Sequence, residues 1–504
     1  MNLIDTFLDR TTMYRLVLYY VVALLAAAFA ASFFGAVPVD PTALAFTSVV
    51  IAAVAYVSNR VFCLVFRTPA NLESSWITAL ILILIMSPVT ASDATGLGGI
   101  VFVTVWAIAS KFILAIYGKH LFNPAALGIA LGALFLDQPA TWWVGGAIVL
   151  LPLTLLGGIL LVRKLRRADM VLAFLGANLL ASLIGATPET FTSTLVQTLT
   201  LSPLFFFAFV MLTEPLTAPS RPLPRIAFGT IVGVLAAPSI HLGDFYMTPE
   251  LALLAGNLFA WLVSPKGRFV LTLLRIEKAA AGAYDFIFSP DRAFAFEPGQ
   301  YLEWTLAVPH ADNRGNRRQF TIASAPDDDE VRLGVKFYPE ASAFKRTLAS
   351  MQPGDHIHAS QLSGNFVTPR DLNLKLAFIA GGIGMTPFRS MLQHLLNRNE
   401  RRPIVVLYGN PGADDVAYGD VLDRAEDELG VRTVHVLEQG KPRDANTRTG
   451  RIDADLIRDE VPDFADRIFY VSGPRAMVDA VTKALHSLGI ARSRVRTDFF
   501  AGFA

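Results

Sequence analysis

Four consecutive residues, Arg318-Gln319-Phe320-Thr321, carry groups suited to a flavin dinucleotide. Arginine presents a fixed fork of donors that matches a pyrophosphate. The Phe320 ring can cover part of a flavin, and Thr321 supplies a hydroxyl near the ring nitrogen where hydride arrives. Alternation along a strand sends Arg318 and Phe320 one way and Thr321 the other, so a local bend has to help. The bland alternative is an edge strand with a surface arginine. Downstream, Phe378-Ile379-Ala380-Gly381-Gly382-Ile383-Gly384-Met385-Thr386-Pro387 runs an apolar strand through glycines into a helix. Glycine lets the backbone approach a pyrophosphate, and a helix N-terminus favours negative charge. Gly-Gly-x-Gly alone is a weak signal. It is strengthened by Leu407-Tyr408-Gly409-Asn410 and by Tyr470-Val471-Ser472-Gly473-Pro474-Arg475-Ala476-Met477. The second of these puts a strand end and a helix start where a nicotinamide would lie.

These residues need a scaffold, and the pattern around them supplies one. From 269 to 370 the sequence reads as short strands with turns, an antiparallel β-barrel. From 374 to 504 apolar runs alternate with helical stretches, a doubly wound α/β domain. Upstream, residues 1–265 hold long apolar runs with almost no interior charge, and the switch falls at 264–268. With ~20 residues per membrane crossing, this half reads as a polytopic α-helical domain of about ten spans. The first apolar run, 16–34, is too long for a signal-peptide core and lacks a small-residue cleavage site. So few residues separate the last span from the first strand that the barrel is expected at the membrane surface.

Charge placement gives the orientation. Arg10, Arg15, Arg60, Arg67, Lys111, Lys119, Arg163, Lys164, Arg166, Arg167, Arg221, Arg225, Lys266 and Arg268 fall on alternate loops or adjoining helix ends. The other loops carry Asp40, Asp93, Asp137, Glu189, Asp244 and Glu250. The positive-inside rule then places the N-terminus and the soluble half in the cytoplasm, with the chain multi-pass in the cytoplasmic membrane. A net charge of +1 gives no reason to expect nucleic acid. Cys63 is the only cysteine, so the chain cannot form an internal disulfide or hold a four-thiolate iron–sulfur cluster. No metal ligand set is identified. A faint echo links Ile85-Met86-Ser87-Pro88-Val89-Thr90 with Met211-Leu212-Thr213-Glu214-Pro215-Leu216-Thr217. It fits a five-plus-five inverted repeat, an arrangement that creates sites lined by interrupted helices; chance similarity is the alternative.

Two resemblances follow from these segments. The run 110–132, with its HLFNPAALG, and the run 202–222, with its TEPLTAP, resemble a membrane family. That family includes membrane components of the Rnf complex and of the sodium-pumping NADH:quinone oxidoreductase. The likeness covers most of 1–265, weakly outside those segments. It implies FMN or riboflavin in the membrane domain, with Thr187, His120, Asn123, Glu214 and Thr217 as candidate contacts. It also implies a covalently held flavin on a threonine, for which Thr187 is the candidate. Here Ile184 replaces the family's hydroxyl residue and Ala181 its Asp, so a simple helix-end threonine stays open. His120 and Glu214 likewise keep bland alternatives, an interfacial histidine and a polar or ion-coupling residue at the membrane edge. Lys111 is read as snorkelling to the inner interface.

Residues 269–504 resemble the ferredoxin–NADP reductase superfamily through RQFT, SGNF, AGGIGMTP, LYGN, VSGPRAMV and the aromatic tail from Asp498. The likeness implies FAD held by Arg318, Gln319, Phe320, Thr321, Ser342, Gly364, Asn365 and Phe500. It implies NAD(P)H held by Gly381, Gly382, Gly384, Thr386, Pro387, Gly409, Gly473, Pro474 and Met477, with Thr321 and Ser472 nearest the hydride. The segment from Ser342 to Leu348 matches the second FAD phosphate segment less well, and Ser472 stands where several members have Cys. Arg448, Arg451 and Arg475 are candidates for a 2′-phosphate or for ordinary surface charge, with the balance toward NADH.

The expected activity is transmembrane electron transfer from cytoplasmic NAD(P)H through FAD and a membrane flavin. The acceptor expected is an extracytoplasmic flavoprotein or a quinone, with ion coupling as a variant. Two other classes compete. A haem-type ferric reductase needs paired histidines, and the membrane half has only His120 and His241, expected at opposite faces. A transporter regulated or energised by the reductase would not need an intact nicotinamide site.

Overall fold

The computed structural model describes residues 7–8, 11–66, 72–116, 119–184, 186–243, 245–264, 268–308, 312, 315–439 and 446–500. Readings that fall on Arg10, Arg67, Gly185, Asp244, Lys266 or 501–503, or on the side chains of Lys119 and Phe500, lie outside the described residues. From Thr11 the chain divides into two compact units, Thr11–Gly267 and Arg268–Ala504.

The first unit is helical: α1 Met13–Phe33, α2 Pro41–Val65, α3 Leu72–Ile85, α4 Ala94–Ile113, α5 Pro124–Leu136, α6 Ile148–Leu165, α7 Ala168–Ser182, α8 Phe191–Thr200, α9 Leu204–Met211, α10 Pro222–Leu235 and α11 Pro249–Val263. By length and composition α1, α2, α4 and α6 can each cross a membrane, and α8 with α9, bent by 51°, makes a fifth. The remaining apolar helices are shorter, 13 to 15 residues. Helix length alone therefore carries fewer crossings than the sequence pattern led us to expect. A helix of about 14 residues rises ~21 Å, short of a hydrocarbon core of ~30 Å. These elements need flanking non-helical backbone to cross.

Such backbone must find partners, because a lipid tail offers none. After α3, the Ile85 carbonyl accepts from the Thr141 and Trp142 amides at 3.0 and 2.9 Å. Trp143 Nε1 donates to the Met86 carbonyl at 3.0 Å. The Thr47 hydroxyl accepts from the Val89 amide at 2.8 Å and donates to its carbonyl at 3.2 Å. The element order then repeats. α4 leads to a two-residue hairpin, β1 Ala115–Ile116 and β2 Lys119–His120; α10 leads to another, β3 His241–Leu242 and β4 Phe245–Tyr246. Each hairpin precedes a helix with a polar N-cap, Asn123 or Thr248, and a proline in its first turn. Proline suits that position because its missing N–H has no helical partner there.

In the second unit the first layer is a six-stranded antiparallel sheet, ordered β8-β7-β10-β5-β6-β9. Its strands are β5 Arg268–Ala280, β6 Ala283–Pro290, β7 Tyr301–Thr305, β8 Arg317–Thr321, β9 Val331–Lys336 and β10 His356–Ser363. The expected barrel is a curled half-barrel whose edges meet where the Ala323 amide donates to the Arg332 carbonyl at 2.9 Å. Trp304, Phe286, Phe288 and Phe344 fill its interior. The helix α12 Ala343–Ala349 supplies Phe344.

The second sheet is parallel throughout, ordered β14-β13-β12-β11-β15-β16. The strands are β11 Leu376–Gly381, β12 Ile404–Asn410, β13 Arg432–Leu437, β14 Thr447–Thr449, β15 Ile468–Pro474 and β16 Val495–Phe500. The helices α13 Thr386–Arg398, α14 Gly419–Leu429, α15 Ala454–Glu460 and α16 Arg475–Ser487 join them. β12 lies on one side of β11 and β15 on the other, so winding reverses there. A reversal of this kind opens a crevice at the carboxyl ends of the two strands, where ligands of open α/β sheets bind.

Close helix packing in the first unit depends on Gly229 and Gly233 of α10. A Cβ on Gly233 would stand 2.6 Å from the Phe174 carbonyl of α7, and one on Gly229 would strike the Met170 carbonyl. Small residues at this spacing let helix backbones approach in a membrane. We predict that Gly233→Val destabilises the detergent-purified protein by about 1–3 kcal/mol through overpacking, read as a lower midpoint in a thermal melt. Gly176→Val, with open space around its Cβ, should leave the midpoint unchanged.

Candidate functional site

In the second unit, register brings the flavin-side candidates together. β8 pairs with β7 so that Thr321 faces Tyr301, Phe320 faces Leu302 and Arg318 faces Trp304. β10 puts Ser363 opposite Tyr301. Ser363, Tyr301 and Thr321 thus form a row at one end of the sheet. Arg318 and Phe320 are both buried while Gln319 between them is exposed, the alternation expected of a strand. Thr321 is the last residue of β8 and is buried as well. The bend that the sequence required comes as the chain leaves β8, where the Ile322 amide turns to the Gln300 carbonyl at 3.0 Å.

The Arg318 guanidinium lies over the Phe344 ring, 5.3 Å from its centroid, and donates to the Arg317 carbonyl at 2.6 Å. Phe320 packs on the same ring, centroids 6.0 Å apart. Ser342 caps α12 by accepting from the Lys345 amide. The Ala343 amide donates to the Asp312 carboxylate at 2.8 Å, so an anionic oxygen already sits on the amide that opens this helix. That donor set suits the pyrophosphate of FAD. Gly364 has φ +120°, and a Cβ there would lie 3.3 Å from Gln300 Cα and Tyr301 Cδ1. Asn365 is exposed beside it. Phe500 is placed only by its backbone, opposite Pro474 in β16.

The nicotinamide-side candidates converge on the switch point. β11 ends at Gly381, Gly382 turns with φ +52°, and a tight turn runs to Met385 before Thr386 and Pro387 open α13. A Cβ on Gly384 would lie 2.5 Å from the Ser472 carbonyl and 2.6 Å from Gly473 Cα, and one on Gly381 would strike Met477 Sδ. The two strand-to-helix turns therefore pack backbone on backbone, an approach that a side chain would block. Gly409 pairs with Gly381 across the strands. Ser472 is fully buried, and its hydroxyl has no hydrogen-bond partner among the described residues. Buried polar groups are normally paired, so this hydroxyl at the crevice fits the carboxamide of a nicotinamide. Pro474 is exposed and Met477 half-buried at the mouth. The arginines considered for a 2′-phosphate are engaged: Arg448 with Glu460 at 2.5 Å, Arg451 with Glu438 at 2.9 Å, and Arg475 with Asp479 at 3.8 Å and over the Phe499 ring at 5.0 Å.

In the first unit a small open cavity of about 60 Å³ is lined by Ser74, Thr78, Asn123, Thr213 and Glu214 among apolar side chains of α1, α3 and α9. Asn123 Nδ2 donates to Glu214 Oε2 at 2.7 Å, and the Thr217 hydroxyl donates to the same oxygen at 3.3 Å. Asn257 of α11 ties the cluster. Its Oδ1 accepts from the Asn123 amide at 2.8 Å, and its Nδ2 donates to the Thr217 carbonyl at 3.3 Å. Lys111 Nζ donates to the Ser74 carbonyl and hydroxyl at 2.7 and 3.0 Å, in the first turn of α3. The structure thus assembles Asn123, Glu214 and Thr217. His120 lies on β2 and is not among the cavity-lining residues. Thr187 is exposed, its amide donating to the Thr190 hydroxyl at 2.9 Å. Sequence reading missed Asn257; the signal was an amide inside an otherwise apolar run. Among the described residues no cluster of His, Cys, Asp or Glu could hold a metal.

Comparisons with known proteins match two separate parts of the chain. Residues 141–266 match the NQR2, RnfD, RnfE family, and residues 378–483 match the oxidoreductase NAD-binding domain. One chain joins the two. An NADPH oxidoreductase of Mycobacterium tuberculosis is 32% identical over 42% of this chain and 53% of its own length. A flavohemoprotein of Deinococcus radiodurans is 27% identical over 41% of this chain and 52% of its own. An aromatic O-demethylase reductase subunit of Amycolatopsis is 29% identical over 45% and 68%. This chain spans about half the length of the first two. Among solved structures, the Amycolatopsis cytochrome P450 reductase GcoB superposes with a TM-score of 0.41 at 26% identity, over 46% of this chain and 69% of that one.

Asn257 is fully buried, so removing its amide strands two backbone groups. We predict that Asn257→Leu costs about 2–4 kcal/mol, since each unpaired buried group costs ~1–3 kcal/mol. Thermal melting in detergent would show it as a lower midpoint.

Proposed function

We propose that this chain is a membrane-bound, NAD(P)H-dependent flavin oxidoreductase. Electrons from cytoplasmic NAD(P)H pass through FAD in the half-barrel and a second flavin, FMN or riboflavin, in the helical unit. The acceptor is an extracytoplasmic flavoprotein or a quinone. The observation that carries this reading is that one chain holds both a glycine-lined crevice at the switch point of a parallel sheet and a polar cavity among apolar helices. When bound, the flavins supply the chemistry, taking two electrons as hydride and passing them on singly.

The residues supply binding and position. Arg318 and the first turn of α12 would hold the FAD pyrophosphate, and Phe320 would cover the ring. The Thr321 hydroxyl, at the end of the row with Tyr301 and Ser363, sits where a hydrogen bond to the reactive ring edge is wanted. Gly381, Gly382 and Gly384 would let the dinucleotide approach the amides that open α13, with Thr386 and Pro387 in its first turn. Gly409, Gly473, Pro474 and Met477 shape the crevice, and the Ser472 hydroxyl would orient the carboxamide. In the helical unit Asn123, Glu214 and Thr217 would meet the second flavin at the cavity, with Thr187 a separate candidate at the opposite face.

The repeated order of broken helix, helix, hairpin and proline-started helix supports the five-plus-five inverted repeat, and with it about ten crossings. The basic loops support a multi-pass protein of the inner membrane with the N-terminus and both soluble domains in the cytoplasm. One observation favours an ion-coupled form of the same activity. Glu214 is a carboxylate beside a cavity in a membrane segment, where ionisable residues are costly and tend to serve transport.

We predict that Arg318→Ala lowers FAD retention and NAD(P)H oxidation by about tenfold or more, as expected for a charge-assisted contact of ~1.5–3 kcal/mol, while the helical unit stays folded. Flavin absorbance per protein and a steady-state NAD(P)H assay measure this; full FAD content with full activity would sink the assignment.

A further inference from the structure

We infer that Tyr418 and Asp285 form the joint that holds the nicotinamide crevice in register with the flavin-side sheet, which makes Tyr418 a positioning residue for hydride transfer. The inference rests on the flavin oxidoreductase reading above. Tyr418 caps α14 in the left-handed conformation, φ +60° and ψ 35°. A bulky residue is rarely found there, and such outliers persist where the surroundings impose them. Its side chain is buried, and the hydroxyl donates to Asp285 Oδ1 of β6 at 2.7 Å. Asp285 is also buried, and its other oxygen accepts from Arg332 of β9 at 2.6 Å. Burial and the neighbouring carboxylate hold the Tyr418 phenol well above its ordinary pKa, so it remains a donor.

The same short segment reaches the glycine turn. The Ala417 amide donates to the Tyr408 hydroxyl at 3.1 Å, and that hydroxyl donates to the Gly382 carbonyl at 3.1 Å. Of two adjacent residues, Ala417 thus reaches the turn that would receive the dinucleotide through Tyr408, and Tyr418 bonds directly to the sheet that would hold the flavin. Neighbouring contacts act in the same direction. Arg389 of α13 lies over the Tyr418 ring at 5.7 Å and donates to the Ala323 carbonyl at 2.6 Å; Ser390 donates to the Ser324 carbonyl at 2.6 Å. Both carbonyls lie just beyond Thr321. Gly334 of β9 leaves the needed space: a Cβ there would strike the Tyr418 hydroxyl and stand 2.7 Å from Thr386 Cγ2. Sliding one layer over the other would break this set together.

Tyr418→Phe removes one hydroxyl and keeps the ring. We expect FAD content and NAD(P)H affinity within about twofold of wild type, because none of the proposed ligand contacts is altered, and a modestly lower melting midpoint, because the buried Asp285 oxygen loses its donor. The hydride-transfer rate in stopped flow should fall about tenfold or more, since a shift of ~1 Å in reacting groups can cost ~10²-fold. The long-wavelength charge-transfer absorbance of the bound nicotinamide–flavin pair should weaken in parallel. In the protein without nucleotide, amide exchange should speed up in 331–336 and 417–422. An unchanged rate and unchanged charge-transfer band would overturn the inference. So would a fall in FAD content and midpoint that accounts for the whole rate loss, which would make Tyr418 structural only. A wild-type protein that neither retains FAD nor oxidises NAD(P)H would instead defeat the oxidoreductase reading itself.

Discussion

The helical unit depends on one requirement: backbone that leaves a helix among apolar side chains must be hydrogen-bonded by the protein. Asn257 meets it for the Asn123 amide and the Thr217 carbonyl, and so fixes the side of the cavity where Glu214 stands. Thr47 and Trp143 do the same for the backbone after α3. The last turns of α9, Phe207–Met211, adopt a π-helical form before the chain turns into Thr213 and Glu214. π-bulges of this kind are frequent at functional sites. A cavity with a carboxylate and a carboxamide among apolar walls is thus a direct product of how the broken backbone is satisfied.

The soluble unit follows a different constraint, close approach. Gly381, Gly384 and Gly473 let two strand-to-helix turns touch at the point where the parallel sheet reverses its winding. That contact defines the crevice. The antiparallel sheet beside it contributes Arg318, Phe320 and Thr321 from a single strand. A row of contacts through Tyr418, Arg389 and Ser390 ties the two layers. Each layer supplies half of a site that two cofactors would share.

Much of this was legible in the chain because it is local. A glycine run between a strand and a helix, or an arginine two residues before an aromatic, declares its geometry within a few positions. Asn123 entered through the resemblance of its HLFNPAALG segment to the membrane family, and the structure adds that it caps α5. What the sequence hid is long-range. Asn257 bonds to Asn123 from a distant helix, and Tyr418 reaches Asp285 across the fold. Helix lengths were also hidden, since an apolar run does not reveal where a helix stops inside it. The run that ends in the TEPLTAP segment holds α8, a 51° bend and α9. The expected antiparallel barrel is a half-barrel because β8 and β9, its edge strands, meet through a bond just past the end of β8 rather than along a ladder.

The central claim is a relay with a flavin in each unit, and flavin content tests it most directly. The detergent-purified full chain would be precipitated with acid, its released flavins separated by chromatography, and the pellet examined for bound fluorescence. The account predicts FAD together with a second flavin, released or retained, in comparable amounts. FAD alone at full stoichiometry, with a non-fluorescent pellet, would contradict it and leave the helical unit without a carrier of its own.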